Sequence, residues 1–454
     1  MSRVSGVNAA SGSSYLLERA WVDGAVVEDV LVEIADGWLT RVELLRGNLT
    51  FSGGTSPENV RNPRVPGDSA PTNLPGLTIP GLANTHSHAF HRALRGRTQR
   101  DTGTFWTWRE QMYAVAARLE PDSYYALARA AYREMVAAGY TSVGEFHYLH
   151  HRPDGAPYDE ADPMGRVLQQ AAEDAGIRLA LLDACYLSSG FGAPPQGVQV
   201  RYSDGTAQRW AERAAAGPAA IHSVRAVPRD QLHVFRDRAP LHVHLSEQVA
   251  ENDACLAAYG VTPTRLLHEE GLLGPGTTVV HATHLTDDDV ALLGAGGTNV
   301  CITPTTERDL ADGIGPARRL ADAGCRLSIG SDSHAVVDPF EELRALELDE
   351  RLATQRRGHW SAAELLGIGT AHDVIGIDRT GRIAVGQRAD LVTIDTHTPR
   401  TAGTGADEHT AVFAATAADI THVVVGGDVA YTSDDDEQIG RELEEAIGAL
   451  WPAP

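Results

Sequence analysis

PGLANTHSHAFHRAL, residues 80–94, closes a short apolar run on two histidines one residue apart, His86 and His88. In a β-strand, residues i and i+2 point to the same face. The pair therefore aims two imidazoles at one point from the end of a strand, which suits a metal ion. Three more elements follow, each at the end of an apolar, strand-like run: His244-Leu245-Ser246-Glu247, then His281 in VVHATH (279–284), then Asp332 in SIGSDSH (328–334). Their order is His-x-His, His-x-x-Glu, His, Asp. His242 shares the face of His244, but only His244 has a glutamate three residues on.

Outward from these elements the chain alternates strands and helices. The strand-like runs are LTIPGLANTHSH (77–88), TSVGEFHYL (141–149), IRLALLDACYL (177–187), AAIHSVRAV (219–227), PLHVHLSE (240–247), TTVVHAT (277–283), TNVCITP (298–304) and CRLSIGSD (325–332). Helices are expected over 121–138, stopped at Gly139, and over 164–175, ended by Gly176. Eight β units alternating with α units predict an α/β fold, a (β/α)8 TIM-like barrel. The flanks differ. Residues 14–48 read as short alternating strands, followed by a Gly/Pro/Ser/Asn-rich loop over 52–75. GRIAVGQRADLVTID (381–395) and ITHVVVGGDVAYT (420–432) read as strands again, and 436–450 as a charged terminal helix. We expect 1–75 and 385–454 to form a small composite β-sandwich beside a barrel over 76–384.

Composition excludes several classes. A net charge of −23 argues against nucleic acid and against an anionic membrane surface. No apolar run reaches the ~20 residues that span a bilayer. The N-terminus lacks the apolar core of a secretory signal. Cys185, Cys255, Cys301 and Cys325 form no C-x-x-C pair, which fits a reducing compartment. A cytoplasmic protein is expected. All 38 basic residues are arginine, so neither a phosphate-loop lysine nor a Schiff-base lysine exists.

The ordered set of His-x-His, His-x-x-Glu, His and Asp resembles the amidohydrolase superfamily, specifically its deaminase branch, from about residue 75 to about 395. The resemblance implies that His86, His88, His244 and Asp332 hold one divalent metal ion. Relatives that bridge two ions use a carboxylated lysine, which this chain cannot supply. Zn²⁺ is favoured over Fe²⁺ for redox-free hydrolysis. Metal binding lowers the pKa of water from ~15.7 to ~7. The hydroxide so formed would attack, Asp332 would orient it, and His281 would stabilise the developing charge. Glu247 would shuttle a proton to the leaving nitrogen.

Further segments resemble the formimidoylglutamate deiminases: HSHAFHRAL (86–94), FWTWREQMY (105–113), AGYTSVGEFHYLHH (138–151), IHSVRAV (221–227), HVHLSEQ (242–248) and TPTTERDLADGI (303–314). That family converts N-formimidoyl-L-glutamate and water to N-formyl-L-glutamate and ammonia in histidine degradation. Arginine suits the substrate's two carboxylates because it binds them bidentately. By the resemblance, Arg109, Tyr148, His222 and Arg225 would hold the glutamate portion. His91 would line the same site, where many relatives carry glutamine. His147, His150, His151, His284 and His334 read as structural or loop histidines. The superfamily often forms homodimers. The alternative is a guanine-deaminase-like nucleobase deaminase, kept open by Trp106 and Trp108 as stacking surfaces.

Overall fold

The computed structural model describes residues 12–45, 70–99, 103–214 and 217–451. The chain opens with a meander of β1 (Ser13–Val22), β2 (Ala25–Ala35) and β3 (Trp38–Leu44), paired antiparallel. Two-residue turns join them, Asp23-Gly24 and Asp36-Gly37, all four residues left-handed with φ between 49° and 86°. Turns of this kind match the strand twist and favour Asp-Gly. β4 (Thr72–Pro80) returns parallel to β1. Of the loop expected over 52–75, residues 52–69 lie outside the described residues, and 72–75 already belong to β4. The boundary drawn at 75 therefore falls inside a strand.

The apolar run 77–88 is two strands rather than one. β4 ends at Pro80, and β5 (Leu82–Ser87) starts a different sheet. The break sits at Gly81, where a Cβ would lie 2.3 Å from the Thr141 hydroxyl. Only glycine lets the chain pass that close to its neighbour.

Eight parallel strands then form one sheet in sequence order: β5, β6 (Tyr140–His147), β7 (Arg178–Cys185), β8 (Ala219–Ser223), β9 (Leu241–Leu245), β10 (Thr277–His281), β11 (Asn299–Ile302) and β12 (Arg326–Ile329). All eight expected runs are present, each ending earlier than expected, while β6 starts one residue sooner. The helices at Pro121–Ala137 and Pro163–Ala175 stand where expected, the second ended by left-handed Gly176. This is a (β/α)8 barrel.

Side chains as well as backbone close its seam. Asn84 donates to Ser331 Oγ at 2.7 Å and accepts from the Ser331 amide at 3.0 Å. Thr85 Oγ1 donates to the Ile329 carbonyl at 2.9 Å. At the C-terminal end the Asp332 amide donates to the His86 carbonyl at 3.0 Å, and the His88 amide to the Asp332 carbonyl at 3.2 Å. Gly330 permits the approach, since a Cβ there would stand 2.6 Å from the His86 carbonyl oxygen.

After the barrel, β13 (Leu391–Ile394), β14 (Ile420–Val425) and β15 (Asp428–Thr432) extend the first sheet. β13 pairs antiparallel with β4, giving the order β15-β14-β13-β4-β1-β2-β3. The two chain ends thus build one seven-stranded mixed sheet, the composite domain that was expected as a small β-sandwich. Within 381–395 only Leu391–Ile394 is strand, because Gly381 and Gly386 adopt positive φ and turn the chain before it. The terminal helix, Asp436–Gly448, lies against helix Pro121–Ala137, where Arg129 and Arg133 pair with Glu442. No helix among the described residues is long and apolar enough to cross a membrane.

Candidate metal centre and active site

The C-terminal ends of β5, β9 and β12 bring four side chains to one point. One ligand atom each from His86, His88, His244 and Asp332 lies within 4.8 Å of the others, and all four residues are buried. His86 Nε2 and His88 Nε2 are 3.2 and 3.3 Å from Asp332 Oδ1, and His244 Nε2 is 3.0 Å from His86 Nε2. Neighbouring carbonyls fix the tautomers. His88 Nδ1 donates to the Phe146 carbonyl at 3.0 Å, and His244 Nδ1 to the His222 carbonyl at 2.8 Å. Each Nε2 therefore presents a lone pair to the centre. Burial holds His86 down at about 3 and His244 well below its ordinary range, so both are neutral. Converging lone pairs and a carboxylate repel one another unless a cation lies between them. The residues fit a divalent metal. His242 lies elsewhere, with Nε2 facing the Val374 carbonyl at 3.4 Å.

Left-handed, non-glycine backbone gathers at these strand ends: Ser246 (φ 51°), His281 (70°), Ala282 (52°), Asp332 (38°) and His334 (56°). Each costs about 1–3 kcal/mol, and such strain concentrates at functional sites. Here it ends the strands so that the side chains turn inward.

Glu247 and His281 stand beside the cluster, with His281 Nε2 3.8 Å from Glu247 Oε1. On its far side His281 Nδ1 meets Thr303 Oγ1 at 3.0 Å and Glu307 Oε1 at 3.4 Å. Burial works against an imidazolium there. Glu247, Glu307 and Asp332 outweigh it and push His281 up to about 10. Burial raises the Glu247 carboxyl, and His281 partly offsets that rise. Glu307, within TPTTERDLADGI, is a residue that sequence reasoning missed. Its buried carboxylate also accepts from the Thr303 amide and hydroxyl, both at 3.1 Å.

A cavity of about 340 Å³ opens onto the cluster. His91, Arg109, Tyr148, His222 and Arg225 all line it, together with Glu247, His281 and Asp332. His91 Nε2 lies 3.1 Å from the Tyr148 hydroxyl, leaving its buried Nδ1 without a partner. His222 Nδ1 is likewise buried and unpartnered. Arg109, on helix Phe105–Ala116, lies over Trp106 at 4.6 Å and Tyr113 at 5.4 Å. Arg225 donates to the Ser189 carbonyl at 3.3 Å. Neither arginine forms an ion pair among the described residues, although Glu251 lines the same cavity. Burial pushes Glu251 up to about 7, against the pull of Arg225. Sequence reading passed over Glu251, which lies one helical turn beyond Glu247.

Comparison with known proteins agrees with this geometry. The profile of the amidohydrolase family matches residues 77–430. A formimidoylglutamate deiminase of Pseudomonas aeruginosa is 38% identical over 360 residues, covering 74% of this chain and 80% of its own. A 5-methylthioadenosine/S-adenosylhomocysteine deaminase of Syntrophobacter fumaroxidans is 29% identical over 366 residues, covering 77% and 79%. Among solved structures, an amidohydrolase from Brucella melitensis superposes with a TM-score of 0.83 at 29% identity, covering 96% of this chain and 99% of that one.

Proposed function

The chain belongs to the amidohydrolase family, and on that premise we propose that it hydrolyses N-formimidoyl-L-glutamate to N-formyl-L-glutamate and ammonia. The observation that carries this reading is the pair Arg109 and Arg225. Both line the cavity that leads to the His/Asp cluster, and neither is tied to a carboxylate among the described residues. Two guanidinium groups without an ion-pair partner near a buried donor cluster suit a substrate with two carboxylates and one hydrolysable carbon. The relative from Pseudomonas aeruginosa carries the same activity in its name.

In this reading His86, His88, His244 and Asp332 hold Zn²⁺, which when bound lowers the pKa of a water to ~7. The residues do the rest. Arg109, Tyr148, His222 and Arg225 bind the glutamate portion, while His91 lines the same site beside Tyr148. Glu247 takes a proton from the attacking water and delivers it to the substrate nitrogen, then carries the remaining hydroxyl proton to the same nitrogen as the C=O bond forms and the C–N bond breaks, so that nitrogen leaves as ammonia. His281 steadies the negative charge that develops on the attacked carbon's oxygen by donating a hydrogen bond to it. Thr303 and Glu307 hold His281 in that orientation from behind.

The aromatic wall favours a second reading. Phe105, Trp106, Trp108 and Tyr113 line the outer cavity, and a nucleobase would stack there. The deciding experiment is ammonia release by the zinc-loaded protein from N-formimidoyl-L-glutamate, N-formimidoyl-L-aspartate and guanine. Preference for the glutamate compound, with N-formylglutamate as product, supports the proposal. Turnover of guanine alone keeps the metal and Glu247 roles and overturns the roles given to Arg109 and Arg225.

A further inference from the structure

A second cluster lies behind the active site. Phe146 on β6 turns its ring toward His86 and His88, with centroids 5.1 and 5.3 Å away. Strand alternation sends the next side chain, His147, to the opposite face. There it meets His150 at 4.9 Å between ring centroids, the rings perpendicular. Asp162 completes the group from the segment that leads back into helix Pro163–Ala175, with His147 Nε2 3.9 Å from Asp162 Oδ1. One ligand atom from each of the three lies within 4.8 Å of the others.

Three observations set this group apart from a pair of ordinary packed histidines. Both ring nitrogens of His147 are buried with no hydrogen-bond partner. His150 Nε2 donates to the Ala184 carbonyl at 2.9 Å, so its Nδ1 carries the lone pair, and that atom is also buried and unpartnered. Asp162 is held left-handed at φ 43°, its Oδ1 accepting from the Gly165 amide at 3.1 Å. Buried polar atoms are almost always satisfied. Here three ring nitrogens are buried without partners, and one from each histidine converges with a carboxylate oxygen of Asp162, which also caps the helix through the Gly165 amide.

We propose that His147, His150 and Asp162 form a second, structural site for a divalent transition metal of the zinc class. Two imidazoles and one carboxylate are the ligand types that such ions take, with water completing the coordination. The ion would pin the excursion 148–162 to the outer face of β6. It would also brace the strand whose Phe146 carbonyl orients His88. The ion has no part in the chemistry, because β6 separates it from the cavity.

The test is metal stoichiometry. The protein is loaded with Zn²⁺, freed of excess by gel filtration, and its zinc per chain is measured by plasma mass spectrometry. Wild type should hold two. Asp162→Asn and His147→Gln should each hold one, and His86→Asn should also hold one, at the outer site. Asp162→Asn should keep wild-type turnover at 25 °C while its thermal midpoint falls. Wild type with one zinc that His86→Asn abolishes overturns the proposal. So does an Asp162→Asn variant that still holds two. Should the outer variants fail to fold, the zinc retained by His86→Asn decides alone: one supports the site, none removes it.

Discussion

Glu247 faces the imidazole of His281 across 3.8 Å, close enough to share a proton through the substrate. Removing its acid–base function while keeping its shape isolates that role. Glu247→Gln should retain zinc and lose turnover by about 10²–10⁴-fold. Full activity with bound zinc would remove it as the proton carrier. Arg225 answers a different question. Loss of a charged hydrogen bond to a substrate carboxylate costs about 1.5–3 kcal/mol. Arg225→Ala should therefore lower kcat/KM for N-formimidoyl-L-glutamate by about 10–100-fold and leave a small amidine such as formamidine nearly unchanged. Equal losses on both would mean that Arg225 holds the cavity's shape and not a carboxylate. His86, His88, His244 and Asp332 were legible because strand parity and position at strand ends are local properties of sequence. Glu307 was not. It reaches His281 from the segment after another strand, and no spacing within the sequence records that approach. Glu251 was missed for the opposite reason, since an acidic residue on a helix with exposed Val249 and Leu256 reads as an ordinary solvated one.

At the scale of elements, the seam between β5 and β12 is the least regular part of the barrel. Its hydrogen bonds run through Asn84, Thr85 and Ser331 as well as the backbone. Gly330 makes the approach possible. Gly330→Ala would place a methyl 2.6 Å from the His86 carbonyl oxygen and 2.9 Å from its Cβ. Overpacking of this kind costs about 1–3 kcal/mol. The variant should unfold several degrees lower and bind zinc more weakly, because the residue displaced is itself in the donor cluster. An unchanged melting curve and zinc affinity would show that the seam yields freely. The same pattern of glycine contacts explains the strand missed at 77–88. Hydrophobicity runs unbroken through Pro80-Gly81, and what divides it is the side chain of Thr141, some sixty residues away in sequence.

At the scale of the whole molecule, the two chain ends are joined through β4 and β13. The Gly81 amide donates to the Asp390 carbonyl at 3.0 Å just where β4 hands over to the barrel. Asp390 also pairs with Arg178 at the start of β7. A chain ended at residue 385 loses β13, β14 and β15, strips one edge of β4, and uncovers helix Pro121–Ala137 where the terminal helix rests. Such a chain should be recovered aggregated, as judged by exclusion chromatography. A soluble, zinc-binding product would show that the barrel folds alone. The alternation of strands and helices made the barrel readable, since each unit is local. The order of the mixed sheet was not readable, because β4 pairs with β1 on one side and, on the other, with β13 more than three hundred residues away.

The final stitch of the barrel falls on His86, His88 and Asp332, three of the four side chains of the donor cluster. Ring closure and assembly of the cluster are therefore one event. A nascent chain cannot complete the cylinder without bringing like lone pairs face to face, and a captured ion turns that repulsion into attraction. Removing the ion with a chelator should therefore loosen architecture and chemistry at one place, lowering the thermal midpoint together with turnover.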